Sequence, residues 1–301
     1  EYGRSAAGQI RMVTKSGGKD FHGTAYEYFR NSALDANSWS RNLNPATNSV
    51  APFRYNQFGY NVNGPVTLGK LFNPNREKLF FLWSQEWVRY RQEQTAQIRV
   101  PSVAMRNGDF SELLGSNIFY GSPRTIRDPL TGNPFPNNKI PTDRFSANGM
   151  AFLRAYPSAN GAFAGSTNYY NVRPNPQNQR KDTIAIDFNP TDTQVLRFRW
   201  ANYEYNVVDA FRGDMDYAVS ALNRPNDTAS LGHIWTLSPT MINEFMVSAS
   251  ADRVYIAVDA TGGRYLRSKY GINYPYIFPD RKEIYDKIPT IVIPNVQTID
   301  G

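Results

Sequence analysis

The sequence predicts an all-β chain, an antiparallel meander of about seven to eight strands that forms an open sector of a transmembrane β-barrel. Three observations predict it. Short turns and long connections alternate strictly between the strand-like segments. Several of those segments run ten or more residues with one apolar and one polar face. The chain is aromatic-rich, with 19 Tyr and 18 Phe, yet its mean hydropathy is −0.54. A barrel strand needs about 9–11 residues to cross, and only every second side chain meets lipid, so such a chain stays hydrophilic overall.

The strands are expected at 21–30, 54–66, 78–100, 182–188, 193–205, 228–237 and 241–257, with a stub at 289–298. In the second, Phe58, Tyr60 and Val62 alternate with Gln57, Gly59, Asn61 and Asn63. In the fifth, Leu196, Phe198 and Trp200 alternate with Val195, Arg197 and Arg199. In the seventh, Phe245, Val247, Ala249 and Ala251 alternate with Glu244, Met246, Ser248, Ser250 and Asp252. Period-2 alternation puts each set on its own face. Phe58, Tyr60, Leu196, Phe198, Trp200, Phe245 and Val247 are therefore expected to face lipid. Arg197, Arg199, Glu204, Glu244 and Asp252 are expected on a wet inner wall, where arginines attract anions or pair with carboxylates such as Glu204 and Asp252. A soluble sandwich gives the same alternation with its apolar face inward, so the pattern alone does not separate the two.

Connections at 31–53, 101–181, 206–227 and 258–288 are long, and those at 67–77, 189–192 and 238–240 are short. Loops beyond ~12–15 residues are uncommon in compact domains, whereas outer-membrane barrels place long loops at one rim and short turns at the other. The stretch 101–181 is rich in Pro, Gly, Asn and Ser. A short helix is expected over 146–156, stopped by Pro157. Its two readings, a cap that touches ligand and an ordered surface excursion, stand level.

Composition excludes several classes. No apolar run approaches the ~18 residues of a transmembrane helix. There is no cysteine, hence no disulfide and no thiol chemistry. The 33 Lys and Arg exceed the 26 Asp and Glu, giving +7, but the cations are scattered and nucleic acid is not an expected partner. The chain begins at Glu1 without a signal peptide and stops just after a strand-like run, so both ends read as cuts through a longer protein.

The opening, from Glu1-Tyr2-Gly3-Arg4 through Gln9-Ile10-Arg11-Met12-Val13-Thr14-Lys15, resembles the last strand of the plug domain of TonB-dependent receptors. Phe21-His22-Gly23-Thr24-Ala25-Tyr26 resembles their first barrel strand. Further segments are similar to the Oar-like branch, which carries a carboxypeptidase-regulatory-like domain: Arg54-Tyr55-Asn56-Gln57-Phe58-Gly59, Gly64-Pro65, Asn107-Gly108-Asp109-Phe110-Ser111, Asp128-Pro129-Leu130-Thr131-Gly132-Asn133-Pro134-Phe135-Pro136 and Ile140-Pro141. The likeness covers 1 to about 200 well and the rest loosely. Ala7, where a second glycine is usual, and Arg11, where a smaller polar residue is common, depart from the pattern. The resemblance implies a gated importer of the cell outer membrane, in which a plug fills a barrel and an energy-coupling TonB-type protein pulls on the plug. Residues 1–18 would be the end of the plug, and 19–301 the first part of the barrel with 101–181 as a long extracellular loop. The implied partners are outer-membrane lipid, the coupling protein and an unknown extracellular solute.

Other constellations are set aside. Gly64-Pro65-Val66-Thr67-Leu68-Gly69-Lys70-Leu71 nearly spells a phosphate loop but has Leu71 where a hydroxyl must hold Mg²⁺. His22 and His233, with no cysteine, do not make a zinc site. Asp214-Met215-Asp216 lacks calcium-loop spacing. No catalytic residue, metal or cofactor is expected, and the chain is not expected to be an enzyme. The competing readings are a secreted all-β carbohydrate-binding module and an all-β hydrolase.

Overall fold

The computed structural model describes residues 14–37, 39–42, 50, 52–163, 165–209, 219–258, 264–275 and 286–299. The strands are β1 (His22–Asn31), β2 (Phe53–Pro65), β3 (Leu79–Ile98), β4 (Tyr169–Thr191), β5 (Gln194–Asp209), β6 (Ser220–Ser238), β7 (Met241–Asp252) and β8 (Tyr255–Val258). They form one open 8-stranded sheet in the order β1-β2-β3-β4-β5-β6-β7, with β8 also paired to β6. The all-β antiparallel meander read from the sequence is what the chain forms. Residues 1–13, expected as a plug strand, lie outside the described residues.

The short connections are tight for identifiable reasons. Thr191 pairs with Gln194 across a two-residue turn, and Ser238 with Met241 across Pro239-Thr240. The turn between β2 and β3 is organised by Asn73. Its Nδ2 donates to the carbonyls of Val66 (2.8 Å) and Leu79 (3.1 Å), and its Oδ1 accepts from the amides of Glu77 (2.8 Å) and Lys78 (2.9 Å). The near-phosphate-loop sequence therefore ends β2 and enters this turn.

Two expectations are corrected. β4 begins at Tyr169 rather than near 182, so the long connection runs 99–168. Proline has no N–H for a ladder, yet Pro174 and Pro176 lie within β4. The β4–β5 pairing starts at Gln177↔Val207, so both prolines precede it. The expected stub at 289–298 is not a strand. Pro289 and Pro294 interrupt it, Asn295 takes a positive φ of 60°, and only an isolated bridge joins Ile291 to Ile299.

The chain divides into two compact units. One comprises Glu1–Arg91, Pro176–Val207 and Asn223–Tyr255; the other comprises Gln92–Asn175, Val208–Leu222 and Ile256–Gly301. In the first unit a single apolar face passes from strand to strand. Phe58 stacks on Trp87 (5.5 Å, 19°), and Tyr60 meets Trp83 edge-on (5.7 Å). Gln85 on that face donates to Asp182 (2.6 Å). Asp182, Ile184, Ile186 and Phe188 lie opposite Asn202, Trp200, Phe198 and Leu196. Gln194 meets His233 (3.2 Å), which lies opposite Phe245, and Leu231 lies opposite Val247. All seven residues expected to face lipid thus share one face. Phe198, Phe245 and Val247 are solvent-open at 37%, 59% and 52%.

The second unit has its own core of Ala96, Ile98, Val100, Ala151, Ala155, Tyr156, Ile272, Ile288, Ile291 and Ile299. Burial of so many apolar side chains in connecting segments makes this an ordered body. The helix expected over 146–156 is present at Ala147–Ala155, with Ser146 as N-cap and Ala151 and Ala155 buried.

Candidate functional site

The opposite face of the sheet in the first unit is polar and bonded across strands. Glu86 of β3 is its centre. Its Oε2 accepts from the Tyr26 hydroxyl of β1 (2.8 Å) and Gln57 Nε2 of β2 (2.7 Å), and its Oε1 accepts from Lys181 Nζ of β4 (3.0 Å). Lys181 sits 5.9 Å from the Tyr203 ring of β5. Five successive strands each contribute one side chain, because every second residue of each strand points to this wall.

Toward the short-turn end, Asp187 accepts from Arg199 (2.7 Å) and lies 3.9 Å from Arg197 Nε. Arg199 also donates to Ser16 Oγ (3.2 Å). Gly17 rests so close to β2 and β3 that an added Cβ would lie 2.5 Å from the Phe81 carbonyl and 2.9 Å from that of Gly64. Residues 16–17 are thus laid against the polar wall. Across β6 and β7, Arg224 holds Asp252 through two bonds of 3.0 and 2.5 Å.

The structure brings Arg197, Arg199, Glu244 and Asp252 to this wall, as the alternation predicts, but not Glu204. Glu204 lies opposite Arg180, on the face of Trp200 and Phe198. It shares their even-numbered phase, so the expectation contradicted the strand's own period. The carboxylate that partners Arg197 and Arg199 is Asp187, in β4, a pairing that no local pattern marks.

In the second unit, residues behind the family-like motifs are structural. Asn138, 1% exposed, accepts from the Ile126 amide (2.9 Å) and donates to the carbonyls of Arg124 (2.7 Å) and Phe110 (3.3 Å). Asn168 grips both backbone groups of Val100 at 2.8 Å. Asp128 takes two bonds from Arg144 (3.0 and 2.8 Å) and one from the Leu130 amide, and Arg144 holds its carboxyl below the usual range. Asp109 is held at about 2 by Ser111 and then Lys139. Burial pushes Tyr156 up to about 12, and its hydroxyl donates to the Gln297 carbonyl (2.9 Å). Arg106 donates to the carbonyls of Leu153 and Tyr156 at 2.9 Å and to that of Pro157, closing the helix C-terminus.

This unit also contains a cleft of about 280 Å³ lined by Pro157, Tyr169, Asn171, Arg173, Arg264, Lys269 and Tyr270. Two tyrosines and three basic side chains suit a flat or anionic solute better than an aliphatic one. No sequence signal marks it, because its residues come from three distant stretches. His22 is exposed on β1, and His233 stacks beside Trp235 (6.3 Å, 27°). Among the described residues no group of three or more His, Asp and Glu could hold a metal ion. Asp214-Met215-Asp216 lies outside the described residues. Among the described residues no helix is long and apolar enough to cross a membrane, which says nothing of strands.

A sheet apolar on one face and polar and cross-linked on the other, with three of its four long connections in the second unit, is the architecture of a lipid-facing wall. The family model described as the outer membrane beta barrel domain matches residues 13–301. The chain belongs to the outer membrane β-barrel domain family. Searches of curated proteins and of solved structures find no match. Membership places this outer membrane β-barrel protein in the cell outer membrane, and the secreted-module reading falls with it.

Proposed function

We propose that the chain is part of an Oar-like outer-membrane receptor that takes up a large or scarce solute in a TonB-dependent manner. The observation that carries this reading is the docking of residues 16–17 on the inner wall, through Arg199 to Ser16 and the close seat of Gly17. An approach to β1 along the inside of the wall at residues 16–17 is the one expected of a chain that comes from a plug. The bonded wall around Glu86, Lys181 and Asp187 gives such a plug a polar, wettable surface to move against. The energy-coupling protein and an extracellular solute are partners in this reading, nucleic acid is not, and no catalytic step belongs to it.

The reading also fixes a direction, with long connections outside the cell and short turns in the periplasm. The chain has no cysteine, so single cysteines report cleanly. Leu130, 81% exposed in the connection 99–168, and Leu71, 93% exposed in the turn before β3, are suitable sites. In intact cells carrying the receptor, a membrane-impermeant maleimide is expected to label Leu130→Cys and to spare Leu71→Cys. Labelling of Leu71→Cys alone would reverse the orientation. Solute uptake that continues after loss of the coupling protein would refute the TonB-dependent part.

A further inference from the structure

On the lipid-facing side, each central strand steps from apolar to polar, at one level in β2 and β3 and, in β4 to β6, at the level of Gln85. The step falls at Phe58 to Asn56 in β2, Trp87 to Arg89 in β3, Ile184 to Asp182 in β4 and Trp200 to Asn202 in β5. Ala229 to Asp227 repeats it in β6, and Asp227 bonds Asn202 (2.9 Å) across that level. Trp87, Trp83, Tyr60 and Phe58 lie just below the step and pack on one another. An aromatic girdle beneath a polar edge marks a membrane–water interface, because amphipathic rings settle at headgroup level.

Above this girdle sit Arg54, Arg89 and Arg91. The Val66 amide bonded to the Leu79 carbonyl (2.9 Å) and the Phe58–Trp87 stack set the β2–β3 register. That register puts position 54 opposite 91 and 56 opposite 89. Arg91 donates to Asn178 Oδ1 (2.9 Å) and to the Tyr90 carbonyl (2.9 Å), and Arg89 to the Val88 carbonyl (3.4 Å). Among the described residues no carboxylate lies within ion-pairing distance of Arg54, Arg89 or Arg91. The contrast on the same face is Arg180, whose Nε is 2.8 Å from Asp182. Three guanidiniums held side by side repel one another unless an anion joins them, and a guanidinium fork matches phosphate oxygens in pairs.

We propose that Arg54, Arg89 and Arg91 form a docking site for a phosphate-bearing lipid headgroup of the outer leaflet, with its acyl chains running down over Phe58 and Trp87. The charge of the patch selects an anion, and the aromatic surface directly below it selects one attached to a lipid. The outer-leaflet placement rests on the orientation proposed above; the headgroup chemistry does not.

The test is native mass spectrometry of the detergent-solubilised chain, which is blind to orientation and so separates this site from the direction of the barrel. Three probes are offered: diphosphorylated lipid A, the same lipid dephosphorylated, and inorganic phosphate. Preferential retention of the diphosphorylated lipid, not displaced by equimolar phosphate, is expected. At about fivefold per interfacial arginine, one substitution costs about fivefold in retention and Arg54→Gln/Arg89→Gln/Arg91→Gln about a hundredfold, while Arg180→Gln leaves it unchanged. Equal retention of the two lipids by the unaltered chain overturns the proposal without any variant having to fold. So does a triple variant that keeps its lipid, or free phosphate that competes on equal terms.

Discussion

Asn138 offers a sharp test of how the long connection 99–168 is held. Asn138→Ala removes one acceptor and two donors from a site only 1% exposed. The Ile126 amide and the Arg124 carbonyl lose bonds of 2.9 and 2.7 Å, and the Phe110 carbonyl a weaker one of 3.3 Å. An unsatisfied buried group costs roughly 1–3 kcal/mol. Asn138 also has a φ of 55°, a left-handed conformation that alanine disfavours by about 1 kcal/mol. Counting one amide, one strongly bonded carbonyl and the backbone preference gives a local destabilisation of about 3–7 kcal/mol. Hydrogen exchange at the Ile126 amide is the assay, with an expected acceleration on the order of 10²–10⁵. Asn138→Asp keeps the acceptor for Ile126 and tolerates the backbone, so it should exchange between the two. An Asn138→Ala rate at Ile126 within about fivefold of the parent would refute the view that this side chain knits three strands of connection together.

Two further outcomes follow from the same structure. Phe198→Arg puts a charge on the lipid-facing side of β5 and should destabilise insertion by about 2–4 kcal/mol in denaturant titrations in lipid, whereas Ala201→Arg on the polar wall should cost less than half of that; equal costs would mean that the faces are misassigned. Asp109 and Asp128 have depressed pKa values, so their stabilisation is present above the ordinary carboxylate pKa of about 3.9 and is lost as pH falls through the folded values, about 2 for Asp109. Amide exchange at Ser111 and Leu130 should therefore stay slow to about pH 4 and accelerate toward pH 2, and Asp128→Asn should remove the pH step at Leu130 alone.

Strand existence was legible because alternation records which side of a strand meets lipid, and Leu196, Phe198 and Trp200 write that record without interruption. The near half of β4 was not legible. Pro174 and Pro176 carry a strong local signal against pairing, and only the three-dimensional fact that the β5 ladder begins at Gln177 neutralises it. Residues 289–298 failed in the opposite sense. Ile291, Val292 and Ile293 look like a strand, but Ile288, Ile291 and Ile299 are apolar because they fill the core of the second unit. The Asp187–Arg199 pair and the Tyr169–Lys269 cleft were hidden for a further reason. Contacts between distant stretches leave no periodicity. The quoted motifs around Asn107–Ser111 and Asp128–Pro136 were visible, and the structure makes them turn-formers: Gly108 and Gly132 have φ of 76° and 73°.

The core of the second unit has a consequence for the order of assembly. It draws Ala96 and Val100 from the first third of the chain but Ile272, Ile288 and Ile299 from the last tenth. Arg99 reaches the Asn295 carbonyl across 196 positions, and the Tyr156 hydroxyl reaches Gln297 across 141. Contacts so far apart in sequence form late, since a long loop must close before they contribute. The connection 99–168 therefore waits, with its apolar residues uncovered, until Ile272, Ile288 and Ile299 have been made. In that interval it is the part of the nascent protein most in need of a holding chaperone, and a ribosome stalled near residue 270 would release a chain with every early strand present and this core still open.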